Sequence, residues 1–164
     1  MTLGQMLIPE FDQEMATTRR VLERVPDGKF DWKPHDKSMS LGRLAAHLAE
    51  LPALSQLILK QPSFDITTPR QSAQVSTRQE ILDLFDKNVA TTRADLAAIE
   101  DAAFQEKWTL LRGEQTVFSL PRFAVVRSMV FSHTIHHRGQ LSVYLRLNDV
   151  PVPSIYGPSA DEMM

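Results

Sequence analysis

Three histidines fall within five residues in Ser132-His133-Thr134-Ile135-His136-His137-Arg138-Gly139-Gln140. Imidazole nitrogens are common protein ligands for zinc, nickel, copper and iron. On a helix of 3.6 residues per turn, His133 and His137 stand one above the other, about 40° apart around the axis, and can grip one ion together. His136 lies about 60° round on the other side of His133, so pairing with His133 would compete with His137. An open catalytic site takes three protein ligands and leaves a position for water or substrate. Of the two remaining histidines, His47 in Leu44-Ala45-Ala46-His47-Leu48-Ala49-Glu50-Leu51 has Leu44 at i−3 and Leu51 at i+4, which puts it on an inward apolar stripe. His35 follows Pro34 in a polar stretch and is less fixed. The expected ligand set is His47, His133 and His137. One histidine on an apolar face is more often a hydrogen-bonded core residue, and the i, i+4 pair on a second helix shifts that balance toward ligation. Position 134 is Thr, so the Glu that makes H-E-x-x-H a protease motif is missing and peptide hydrolysis ranks low.

The elements that must position these side chains read as helices. Leu3, Met6, Leu7, Phe11, Met15, Thr18, Val21, Leu22 and Val25 recur at helical steps until Pro26-Asp27-Gly28. Lys29 to Ser38 reads as a structured loop, with Trp32 plugging the core edge in preference to stacking a ligand. Ser40 is the expected N-cap of a second helix through Leu51, and Pro52 makes the next stretch either a kinked continuation or a second helix in tandem. Gln61 to Val75 reads as a long connecting loop, a lid or a bridge. Ser76-Thr77-Arg78-Gln79 predicts a capping box for a third helix running to Ile99. Trp108–Leu111 and Thr116–Phe118 flank a turn at Arg112-Gly113-Glu114-Gln115 and predict a short hairpin. Ser119-Leu120-Pro121 is the expected start of a last helix that carries Val125, Val126, Met129, Val130, His133, His137, Gln140 and Tyr144 on one buried face to about Leu147. The proline-rich tail from Val150 is expected to fold back across the helices. The fold class expected is all-α, a four-helix bundle with one short hairpin before the last long helix.

Length and composition fit one domain over residues 1–164, with an apolar fraction of 43% and a charged fraction of 23%. A net charge of −2 and a pI of about 6.2 leave no electrostatic footprint for nucleic acid. With no cysteine, the chain has no thiolate ligand, disulfide or cysteine nucleophile, so any thiol chemistry must use an outside thiol. Pro9, Glu10, Asp12 and Glu14 interrupt the apolar start before a signal peptide can form, and no run of about eighteen apolar residues suits a membrane span. A cytoplasmic location is expected.

The chain resembles the DinB family of DinB/YfiT-like metalloenzymes over nearly its whole length. The resemblance rests on Asp31-Trp32-Lys33-Pro34, Ser40-Leu41-Gly42 through His47-Leu48-Ala49-Glu50-Leu51, His133-x-x-His136-His137-Arg138-Gly139-Gln140, Tyr144-Leu145-Arg146 and Pro151-Val152-Pro153-Ser154-Ile155-Tyr156-Gly157-Pro158-Ser159. It implies a four-helix bundle, commonly dimeric, with a divalent metal on the histidines that map to His47, His133 and His137. Some members of the family are transferases or isomerases dependent on mycothiol, bacillithiol or glutathione. The resemblance carries no DNA-repair role.

Two function classes follow. In the preferred one, a divalent ion, zinc or nickel ahead of iron or manganese, activates an exogenous low-molecular-weight thiol or water for attack on a small electrophile. In the other, the ion only pins two helices in a binding or dimerisation module. A general acid or base beside the ion would discriminate them. Glu50, at i+3 from His47, and Tyr144, at i+7 from His137, are the candidates, and each has an alternative role as a supporting hydrogen bonder.

Overall fold

The computed structural model describes residues 1–69 and 71–163. The first helix, α1 (Leu3–Leu22), opens on a reciprocal cap: the Thr2 hydroxyl accepts from the Gln5 amide, and the Gln5 side chain accepts from the Thr2 amide. Ser40 caps α2 (Leu41–Glu50) as expected, accepting from the Arg43 amide. Pro52 then breaks the hydrogen-bond ladder into a 3-10 turn (Leu51–Ala53) before α3 (Leu54–Lys60), so the tandem alternative holds.

The Gln61–Val75 stretch departs from a plain loop, because Ser63–Asp65 forms a strand, β1. Three residues are too few to show a period of two, so only pairing elsewhere in the chain defines this strand. Arg70, within this stretch, lies outside the described residues. The cap of α4 (Arg78–Ala98) sits one residue later than Ser76–Gln79 predicts: Thr77 accepts from the Glu80 amide, and the Glu80 carboxylate accepts from the Thr77 amide and from both the amide and hydroxyl of Ser76. A carboxylate accepts these donors better than the Gln79 amide would, which decides the register. A short helix, α5 (Asp101–Gln105), precedes the expected hairpin of β2 (Lys107–Arg112) and β3 (Gln115–Pro121). Gly113 takes φ +58 in its turn, a region costly for residues with a Cβ. β1 adds to β2 in parallel, Ser63 opposite Thr109, giving the strand order β1-β2-β3.

Ser119 and Leu120 belong to β3 and do not start a helix; Pro121 is the N-cap of α6 (Arg122–Val126). The helix continues through a π-helical segment, Arg127–Ser132, into α7 (His133–Leu147). The four helical pillars form a ring in which α1 packs on α4, α4 on α2, α2 on α7 and α7 back on α1. Their inward faces make one apolar core, with the Phe11 and Phe131 rings edge to face at 5.8 Å. This is the mostly helical fold expected, with a three-stranded sheet where a two-stranded hairpin was predicted.

The tail folds back onto the bundle through a polar cluster in which Glu14, Thr18 and Arg138 are buried and Tyr156 caps them from the surface. Arg138, 1% exposed, pairs with Glu14 Oε2 at 2.7 Å and donates to the Glu14 carbonyl, the Thr18 hydroxyl and the Tyr156 phenol. The Tyr156 hydroxyl in turn donates to the Glu14 carboxylate. Among the described residues, no helix is long and apolar enough to cross a membrane.

Candidate metal centre

The ring order sets α2 beside α7, and that contact brings His47 onto His133 and His137. Ring centroids lie 5.2 Å apart for His47 and His133, 4.6 Å for His47 and His137, and 4.7 Å for His133 and His137. One ring nitrogen from each lies within 4.8 Å of the others. Bonds of about 2.0–2.1 Å at near-tetrahedral angles set ligand nitrogens about 3.3–3.5 Å apart, so closing the triangle takes at most about 1.5 Å on its widest side. His136 is exposed and lies outside this group, its ring only flanking that of His137. His35 is also exposed, with Nδ1 accepting from the Lys37 amide.

Whether the residues fit an ion can be judged from their protons. His137 Nδ1 lies 2.6 Å from Gln140 Oε1, an acceptor only, so that nitrogen carries the proton and Nε2 is left with a bare lone pair. The Met129 carbonyl, also an acceptor only, lies close enough to the His133 ring to favour a proton on the nitrogen that faces it. The His133 Nε2 faces His137, so the protonated nitrogen is Nδ1. The two bare Nε2 atoms then point at each other across 2.9 Å. Such lone pairs repel unless a cation lies between them, and a donor set of this kind suits a divalent ion.

The π segment prepares His133 for this. Its amide bonds back to the Ser128 and Val130 carbonyls, which leaves the Met129 carbonyl free of its usual α-helical donor and open to the His133 ring. Burial lowers the His133 pKa, and the like charges of His47 and His136 add to this against the opposing Met129 carbonyl. Burial likewise takes His137 down to about 4, the bond to Gln140 opposing and His47, His133 and His136 reinforcing. Both rings are therefore neutral near pH 7, the form that ligates.

Glu50 braces His47. Its Oε2 lies 3.9 Å from His47 Nδ1, an electrostatic contact longer than a hydrogen bond, which favours the proton on Nδ1 and leaves Nε2 for an ion. Burial raises the Glu50 pKa, but contacts from His47, the Ala73 amide and Arg43 outweigh it and hold the group at about 2. Glu50 is thus a fixed carboxylate near neutral pH. The Tyr144 hydroxyl donates to the Met39 carbonyl at 3.3 Å, and its ring meets the edge of Trp32, which packs against the core as expected. A cavity of about 190 Å³ opens beside His47, with Arg43, Glu50, Gln71 and Ser72 on its polar side and Leu51 and Leu54 on its apolar side.

Sequence reasoning missed Arg43, the Ala73 amide and the Met129 carbonyl. Arg43 carries an i, i+4 signal relative to His47; the two backbone groups carry none. Gln140 is exposed and off the buried face predicted for it, yet i, i+3 spacing from His137 marks it as a partner.

A family model described as "DinB family" matches residues 2–164. The uncharacterized protein YrdA of Bacillus subtilis (strain 168) is 24% identical over 159 residues, covering 94% of this chain and 89% of the relative. Two crystal structures share the fold. A DinB-like protein from Bacillus subtilis superposes with TM-score 0.68 at 17% identity over 88% of this chain and 92% of its own. One from Bacillus cereus ATCC 10987 gives 0.71 at 18% identity over 92% and 95%.

Proposed function

The chain belongs to the DinB family, and we propose that it holds one divalent ion on His47, His133 and His137 and uses it to activate a low-molecular-weight thiol, or water, for attack on a small electrophile. The observation that carries this reading is the pair of Nε2 atoms facing each other at 2.9 Å, with Gln140 Oε1 behind the His137 ring, the Met129 carbonyl near that of His133, and His47 on the wall of a cavity. An ion held by three neutral imidazoles keeps its full charge and, when bound, lowers the pKa of a coordinated thiol or water. The chain's own groups supply orientation: Gln140 and Met129 hold the α7 rings, and Glu50 holds His47. Zinc and nickel suit the all-imidazole set best, with iron and manganese behind them.

Glu50 is too acidic to donate a proton near neutrality, and the Tyr144 hydroxyl is committed to Met39. The proton released therefore passes to water or to the substrate's own groups. This same observation favours the second reading, a non-catalytic metal-stabilised binding or dimerisation module. A homodimer is part of the proposal; Val143 and Leu147, 56% and 57% exposed at i, i+4 on α7, offer an apolar stripe for it. So is a reducing, cytoplasmic setting, which an outside thiol requires.

The test is metal analysis of the purified protein, then turnover with a range of thiols and electrophilic acceptors for the metal-loaded protein and its His133→Ala variant. Thiol- or water-dependent turnover that disappears with His133→Ala is expected. Equal turnover in both proteins for every pair would replace the catalytic reading with the module.

A further inference from the structure

We propose that Arg43 is a specificity-determining residue that binds a carboxylate on the small molecule whose reactive atom sits at the three-histidine centre. The inference rests on the metal reading above and extends it to substrate class. Arg43 stands four residues before His47, so the two project from the same face of α2 with Cβ atoms about 5–6 Å apart. Both line the cavity of about 190 Å³, and Arg43 also lines an adjoining cavity of about 200 Å³ beyond Ser72.

The guanidinium is aimed and not neutralised out of use. Its Nη1 donates to Glu50 Oε2 at 3.0 Å, one of five N–H donors, and the side chain is 38% exposed. Glu50 is already engaged, Oε1 accepting from the Ala73 amide at 2.5 Å and Oε2 from Arg43, which leaves its charge largely offset toward a ligand cation. With an ion on three neutral histidines, the cavity wall carries uncancelled positive charge, which disfavours an ammonium and favours an anion. The planar fork of Arg selects a carboxylate by paired, charge-assisted hydrogen bonds. The cavity lies below the size usual for drug-sized ligands, so the molecule is small. Its carboxylate sits about one helical turn from its reactive atom, and Leu51 and Leu54 cover its apolar part.

The test uses the protein loaded with Co²⁺ and follows thiolate-to-cobalt absorption on titration with 3-mercaptopropionate and with its neutral amide, 3-mercaptopropionamide. The acid is expected to bind at least about tenfold more tightly than the amide. In Arg43→Met the ratio should collapse to about one, and Arg43→Lys should restore part of it, with each variant brought to one cobalt per chain before titration. Equal affinity for acid and amide in the unaltered protein, binding of neither, or a ratio that survives Arg43→Met would overturn the inference. Failure of the metal reading is distinguishable, since it appears as less than one cobalt per chain in the unaltered protein before any thiol is added.

Discussion

Replacing Glu14 with Gln is expected to cost the fold about 3–5 kcal/mol, because it strips the charge partner from a guanidinium with no route to water. Arg138 is 1% exposed and Glu14 8%, and among the described residues the carboxylate at 2.7 Å is the only anion that Arg138 contacts. The Glu14 carbonyl, the Thr18 hydroxyl and the Tyr156 phenol remain after the change, but they are dipoles. For a chain of this length each kcal/mol moves the melting temperature by about 2–4 °C, so a drop of about 6–20 °C should appear by calorimetry, with a lower urea midpoint at unchanged slope. Tyr156→Phe, which keeps both charges, should cost only about 1–2 kcal/mol. Arg138 follows His137 directly, so metal affinity should weaken in Glu14→Gln as well. A loss under about 1 kcal/mol for Glu14→Gln, or a cost no larger than that of Tyr156→Phe, would refute the claim that this pair locks α7 against α1.

Three further outcomes follow from the site. Glu50→Gln should lower metal affinity about 10–100-fold, since it weakens the brace behind His47 and releases Arg43 and Ala73 together; competition with a chelator measures it. His136→Ala should retain the ion while His137→Ala loses it, and equal loss in mass-spectrometric metal counts would show the ligand set to be wrong. The metal-free protein should lose stability as pH falls from about 6.5 through about 4, the range between the ordinary histidine pKa and that of His137. In that window the unfolded chain binds the proton that the folded one refuses, so stability rises with pH; urea titrations at pH 7, 5.5 and 4.5 that show no such slope would contradict the neutral state of His137.

Much of the fold was legible because it rests on local signals. Ser40 and Pro52 mark the bounds of α2, and Leu44, His47 and Leu51 share its inward side. The i, i+4 spacing alone picks out His133 and His137 over His136, and the structure brings His47 to them. What was not legible depends on partners distant in sequence or on backbone groups. β1 is defined only by Leu110 and its neighbours more than forty residues on. The Ser76–Gln79 pattern and the Thr77–Glu80 pattern are both valid caps on paper, and the stronger acceptor decides. The π segment leaves no mark in a hydrophobic period read at 3.6 residues, and without it the Met129 carbonyl has no role to assign.

That segment can also be regarded as an inserted residue that the helix has absorbed. A π turn takes up one extra residue while leaving the helix on either side nearly in phase. Deleting one codon between Arg127 and Met129 should therefore let Arg122–Leu147 close into an unbroken α-helix with His133 and His137 still facing α2. The His133 amide would then claim the Met129 carbonyl, and the imidazole would lose the acceptor that fixes its proton. Such a shortened chain would be a better helix and a poorer ligand, separating by length alone what this molecule invests in folding from what it invests in its site.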